Sequence, residues 1–137
     1  MAGLPKALVA CCDCGNRQVL VGLVGRCGLK PVIATSTSEA ISMLGSEAVC
    51  VAFCQDDLPG DGFKAVLKAA KRVAVPLVVS SRLADPERYL ESMELGAFDF
   101  ICLPYYNTVV AALASALRHR FPPQSAKPGA VNVREAS

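Results

Sequence analysis

The chain of 137 residues is long enough for one domain with a single hydrophobic core, and its formal charge at pH 7 is only +2. A charge so near zero does not indicate a nucleic-acid surface, and no apolar run approaches the roughly 20 residues that span a bilayer. The first residues lack the charged and apolar regions of a signal peptide, so we expect a cytoplasmic protein with neither a nucleic-acid nor a membrane partner.

The seven cysteines do not indicate a disulfide-bonded protein. Their number is odd, and a chain whose residues are 53% hydrophobic needs no covalent cross-links to hold a core. Cys27 and Cys50 are expected in that core, on a helix and a strand respectively, where a free thiol behaves as a small hydrophobic side chain.

The first half of the chain alternates apolar runs with helical patterns. Apolar residues at spacings of three and four predict a helix over residues 16–27, with Gly28 ending it. Ser36-Thr37-Ser38-Glu39 has the pattern of a capping box and begins the next helix. Further elements are predicted as strands at 7–11, 31–34 and 48–54 and as a helix at 63–72.

The second half repeats this alternation. Asp85-Pro86-Glu87 combines a cap residue, a proline at the first helical position and an acid in the first turn, which is typical of a helix start. This helix is expected to bury Leu90 and Met93 and to end at Gly96. Strands are predicted at 76–80 and 98–102, a last helix from Asn107 or Thr108, and a disordered tail at 121–137, where periodicity is lost.

Five strands alternating with five helices through short turns predict a parallel sheet covered on both faces. Right-handed crossovers then give a doubly wound α/β domain. The strand runs are apolar throughout instead of alternating, which agrees with burial of the sheet on both faces.

Three segments resemble the response-regulator receiver domains of two-component signalling, the CheY-like domains, over roughly residues 5–120. They are Leu58-Pro59-Gly60-Asp61-Gly62 after the third strand, Pro76-Leu77-Val78-Val79-Ser80-Ser81 in the fourth, and the stretch from Leu95 to Tyr105 around the fifth. Their order and spacing together carry the resemblance. It implies the flavodoxin-like strand order 2-1-3-4-5 and a role in bacterial phosphorelay signalling.

The resemblance also implies where the phosphoryl chemistry of a receiver would lie. The phosphoacceptor aspartate, four residues before the proline of the turn, falls at Gln55, and a carboxamide is not a useful nucleophile. The two Mg²⁺-binding acids fall at Cys11 and Cys12, with only Asp13 nearby. Mg²⁺ binds through hard oxygen ligands, for which a thiol is a poor substitute.

Other family positions are partly kept. The lysine before the proline of the fifth strand falls at Leu103, which removes a charge that would stabilise a phosphorylated state. The switch hydroxyl and the switch aromatic are retained as Ser81 and Phe100. We therefore expect a pseudo-receiver that is not an enzyme, needs no cofactor and acts as a stand-alone protein-interaction module.

Two alternatives remain open at this point. If the alignment slips by one residue, Asp56, or its neighbour Asp57, would be the phosphoacceptor and Mg²⁺ would be required. Alternatively, thiols near the strand ends could form a soft-metal or redox site. Those thiols belong to Cys11, Cys12, Cys14, Cys54 and Cys102.

The resemblance finally implies an interaction face for a protein partner in trans or for a homodimer. Receiver domains use the face formed by the fourth helix, the fifth strand and the fifth helix. In this sequence the residues expected on that face are Arg88, Tyr89, Glu91, Tyr105 and Arg118.

Overall fold

The computed structural model describes residues 5–83 and 85–102. In this part of the chain five strands alternate with four helices. The strands are β1 (Lys6–Ala10), β2 (Lys30–Ala34), β3 (Val49–Gln55), β4 (Leu77–Ser81) and β5 (Asp99–Cys102). The helices are α1 (Cys14–Arg26), α2 (Thr37–Ser46), α3 (Phe63–Arg72) and α4 (Pro86–Glu94).

All strand pairs are parallel and the order in the sheet is β2-β1-β3-β4-β5, which confirms the predicted doubly wound α/β fold. The predicted fifth helix and the predicted tail at 121–137 lie outside the described residues, as do Leu103, Tyr105 and Arg118. The domain boundary predicted near residue 120 lies there too.

Local sequence accounts for the helix ends. Asp13, Ser36 and Asp85 are the N-cap residues of α1, α2 and α4, and each side chain accepts hydrogen bonds from backbone N–H groups of the first turn. Gly28 adopts a φ of 82° after α1, as expected of a residue that ends a helix. The predicted capping box is only half formed, because Glu39 accepts from the backbone N–H of Thr35 instead of that of Ser36.

The sheet separates two apolar layers. Phe63, Val66 and Leu67 of α3 pack with one face of the sheet, in a layer that α2 also covers. Leu20 and Val24 of α1 pack on the other face. All seven residues of β3 are buried, as expected for the central strand of a sheet covered on both sides.

Two burial predictions are wrong. Cys27 is exposed because it follows the last residue of α1 as its C-cap and turns away from the sheet. Leu90 is 57% exposed, since α4 places Ser92 inward and turns Leu90 outward. Met93 packs against the core as a partly buried side chain, and Cys50 is buried as predicted.

Candidate functional site at the carboxyl edge of the sheet

The carboxyl ends of β1, β3 and β4 bring three predicted site residues to one edge of the sheet. Gln55 is the last residue of β3, Ser81 is the last residue of β4, and Cys11 directly follows β1. In an open parallel sheet this edge is where ligands and reacting groups lie. The register pairs Ala10 with Cys54 in the neighbouring strand, which places Cys11 level with Gln55.

Gln55 is fully buried, and its amide is only partly satisfied. The Cys11 thiol donates a hydrogen bond of 2.8 Å to the side-chain oxygen of Gln55. Within the described residues, the side-chain nitrogen of Gln55 has no hydrogen-bond partner. A buried amide donor without a partner carries a desolvation cost of about 1–3 kcal/mol.

The Cys11 thiol is held in its neutral form. Burial raises the pKa of Cys11 to about 11 from its ordinary value of 9.0. A neutral thiol is a weak hydrogen-bond donor and a poor metal ligand, because metals bind the thiolate. The pair formed by Cys11 and Gln55 is therefore an uncharged contact in the place where the resemblance implies acids and a cation.

The remaining thiols do not gather at this edge. Cys54 lies on the opposite face of the sheet from Cys11, as strand alternation requires, and burial raises its pKa as well. Cys12, Cys14 and Cys102 are exposed. In residues 5–83 and 85–102, no group of three or more histidine, cysteine or acidic side chains is placed to hold a metal ion.

The Asp13 carboxylate caps helix α1 and also forms an ion pair. Its carboxylate accepts from the backbone N–H groups of Gly15 and Asn16, and the Arg82 guanidinium lies 2.5 Å from it. The hydrogen bond from the Asn16 backbone and the attraction of Arg82 hold the pKa of Asp13 below its ordinary value of 3.8. This acid caps a helix start and pairs with the segment between β4 and α4.

Asp56 is also paired. Arg88 of α4 donates a hydrogen bond of 2.8 Å to its carboxylate, and the same guanidinium lies over the Phe63 ring at 5.3 Å from the ring centre. The Asp56 side chain retains only 11% exposure, whereas Asp57 is exposed. Both acids line an open depression of about 440 Å³, together with Ser81, Arg82, Leu83 and Arg88.

Ser81 and Phe100, predicted as switch positions, lie at the end of β4 and within β5. The Ser81 hydroxyl is buried and accepts a hydrogen bond from the backbone N–H of Leu83, so it organises the start of the loop after β4. Phe100 is partly buried, and its ring meets that of Tyr89 edge to face, with centres 5.8 Å apart.

The described members of the expected interaction face are divided between two sides of α4. Tyr89 lies toward β5, where it contacts Phe100. Arg88 and Glu91 lie toward α3, since Glu91 forms an ion pair of 2.5 Å with Lys64 and Arg88 reaches Asp56.

Sequence reasoning missed the role of Arg82, and it placed Arg88 only on a docking face. Each arginine pairs with an acid that follows a distant strand, at a separation of 69 residues for Arg82 and 32 for Arg88. A short-range sequence pattern does not predict such a pair.

No helix in the described part of the chain is long and apolar enough to cross a membrane.

The fold matches that of CheY-like receiver domains. A response regulator receiver domain protein from Methanospirillum hungatei superposes with a TM-score of 0.78 at 20% identity, covering 86% of this chain and 97% of that one. A two-component response regulator from Clostridium difficile gives a TM-score of 0.77 at 22% identity, covering 87% and 99%.

A chemotaxis response regulator of Vibrio cholerae gives a TM-score of 0.75 at 18% identity, covering 83% of this chain and 99% of that one. No protein-family model and no curated protein matches the chain. At identities this low, the similarity establishes the fold and leaves the chemistry to be argued from the site.

Proposed function

We propose that this chain is a receiver-like signalling domain that acts through protein contacts and does not run an aspartyl-phosphate cycle at the end of β3. One observation carries the proposal. At the phosphoacceptor position, the oxygen of a fully buried carboxamide accepts a hydrogen bond from a neutral thiol. Such a group offers no nucleophile to a phosphoryl donor.

The residues at this edge do not fit Mg²⁺. The family positions for the metal acids hold Cys11 and Cys12, and Mg²⁺ prefers oxygen ligands. The nearest acid, Asp13, caps α1 and pairs with Arg82. Mg²⁺ binding there would compete with both sets of contacts.

Asp56 is the second candidate phosphoacceptor, because its carboxylate follows β3 directly and borders the open depression. Against it, the Asp56 oxygen is engaged by Arg88, and this pair would have to open before attack on a phosphorus atom. An arginine-paired carboxylate is also a weaker nucleophile than a free one.

The test is the intact mass of the protein after incubation with a small phosphoryl donor and Mg²⁺. Wild type, Asp56→Asn and Asp57→Asn are compared, and a receiver domain with its acids intact shows that the donor is active. We expect no added mass on this chain. A phosphoryl adduct that disappears in Asp56→Asn or in Asp57→Asn would establish a phosphorylated response regulator and overturn the proposal.

A protein-interaction module needs a partner surface. The expected partner is another protein or a second copy of this chain, bound on the side of α4. The exposed residues Tyr89 and Leu90 lie there, and Tyr89 also contacts the switch aromatic Phe100.

A further inference from the structure

We propose that a surface along α3 and α4, called here the α3–α4 patch, binds the same patch of a second copy of this chain. The patch consists of Lys68, Arg72, Val73, Glu94 and Leu95. The proposal rests on the interaction-module function proposed above and names the partner. It uses a different side of α4 from the one that faces β5.

The two helices lie side by side and run in the same direction. Lys64 in the first turn of α3 forms an ion pair with Glu91 of α4. Near the other end, the Lys71 side chain lies against Gly96, where an added Cβ would be 2.8 Å from Lys71 Cδ. Between these two contacts, Lys68 and Glu94 lie at similar heights along the two helix axes.

The helices carry opposite charges on their exposed surfaces. In α3 every charged residue is basic, namely Lys64, Lys68, Lys71 and Arg72. In α4 the acids recur at spacings of four and three, which places them on one side of the helix. They are Glu87, Glu91 and Glu94.

Part of this charge is not used within the molecule. Glu91 pairs with Lys64 and, at 3.6 Å, with Arg88, which also reaches Asp56. Within residues 5–83 and 85–102, neither Lys68 nor Glu94 forms an ion pair. The basic side of α3 and the acidic side of α4 therefore each present at least one unpaired charge to solvent.

Two exposed apolar residues lie at the end of the same patch. Val73 follows α3 and is 40% exposed, and Leu95 follows α4 and is 41% exposed. Between these chain turns lies a cavity of about 390 Å³, lined by residues that include Lys71, Pro76 and Gly96. Protein–protein interfaces usually combine such apolar residues with polar and charged residues at their rim.

A two-fold axis parallel to the helices, lying outside the surface over the groove between them, makes this patch complementary to itself. The axis places α3 of one copy over α4 of the other, so Lys68 meets the partner's Glu94 and Val73 meets the partner's Leu95. Each contact occurs twice, as in any isologous dimer. A surface with one sign of charge would instead repel its own copy.

Sedimentation equilibrium on the full chain tests this assignment. Wild type is expected to dimerise, and Lys68→Glu and Glu94→Lys are each expected to weaken dimerisation by about tenfold or more, because each places like charges opposite one another twice. An equimolar mixture of the two variants is expected to dimerise again. In the mixed dimer, the side chain changed in one variant faces the side chain changed in the other, and their charges are opposite.

Arg26→Glu is the matched control, since it reverses an exposed charge on α1, which covers the other face of the sheet. It should leave dimerisation unchanged, and thermal unfolding should show that all variants are folded. A monomeric wild type, two variants that dimerise as wild type does, or a mixture that stays monomeric would each overturn the proposal. None of these outcomes concerns phosphorylation, which the mass measurement decides separately.

Discussion

The Cys11 thiol donates a 2.8 Å hydrogen bond to the side-chain oxygen of Gln55, and neither residue is exposed to solvent. This contact joins the ends of β1 and β3 at the edge where a receiver holds its reacting groups. The contact is neutral and buried, in the place where the resemblance implies charged acids.

Replacing Gln55 by methionine is expected to raise the free energy of unfolding by about 1 kcal/mol, because the unpartnered buried amide nitrogen is removed. The lost partner of Cys11 matters little, since a thiol is a weak donor. Urea denaturation of wild type and Gln55→Met measures the difference. A loss of stability above about 1 kcal/mol would show that the amide nitrogen is hydrogen-bonded in solution.

Gln55→Glu is expected to destabilise the protein by several kcal/mol at neutral pH, because it buries a carboxylate without a cationic partner. Burial would raise the folded-state pKa of this glutamate above its unfolded value of about 4.3. The folded state then binds more protons, so stability falls as pH rises from about 4 to 8. Urea denaturation at several pH values checks this slope, and Gln55→Met should not show it.

Native thiols should divide into two classes. Cys12, Cys14, Cys27 and Cys102 are exposed and should react quickly with an aromatic disulfide reagent. Cys11, Cys50 and Cys54 are buried and should react only on unfolding, and the pKa of about 11 for Cys11 keeps its thiol protonated at pH 8. Intact mass after brief labelling counts the adducts. Fast labelling of Cys11 in the native protein would contradict the closed site.

The same substitution should have opposite effects at two glycines. Gly60 has a φ of 120°, and an added Cβ would overlap the Thr37 hydroxyl, so Gly60→Ala should cost about 2–4 kcal/mol. Gly45 lies within α2 with nothing within 4 Å, so Gly45→Ala should stabilise by up to about 1 kcal/mol. Thermal unfolding of both variants makes the comparison. Equal effects would show that the turn near Thr37 relaxes.

The contribution of Asp13 to the free energy of unfolding should depend on pH in the acid range. Its pKa is lowered in the folded state, so its contribution is present above the ordinary value of 3.8 and is lost as pH falls through the folded-state pKa. Asp13→Ala should lower the melting temperature at pH 6, with a smaller difference near pH 3. Asp13→Asn should lower the melting temperature less, because an asparagine can still cap α1. A difference that does not change with pH would assign the effect to capping alone.

Much of the fold could be predicted from local sequence. The alternation of apolar strands with amphipathic helices follows from periodicity, and Asp85-Pro86 and Gly28 mark helix ends because their backbone preferences act over one turn. The position of Gln55 at a strand end follows from the abrupt change after an apolar run. These features need only short-range chemistry.

Other features were decided by the tertiary structure alone. The pairs Cys11–Gln55, Asp13–Arg82 and Asp56–Arg88 join residues 44, 69 and 32 positions apart. Such contacts depend on strand register and on where each helix lies over the sheet, which no local pattern encodes. The outward turn of Leu90 has the same cause. The sequence by itself determined which groups stand at the strand ends, and only packing decided which of them meet.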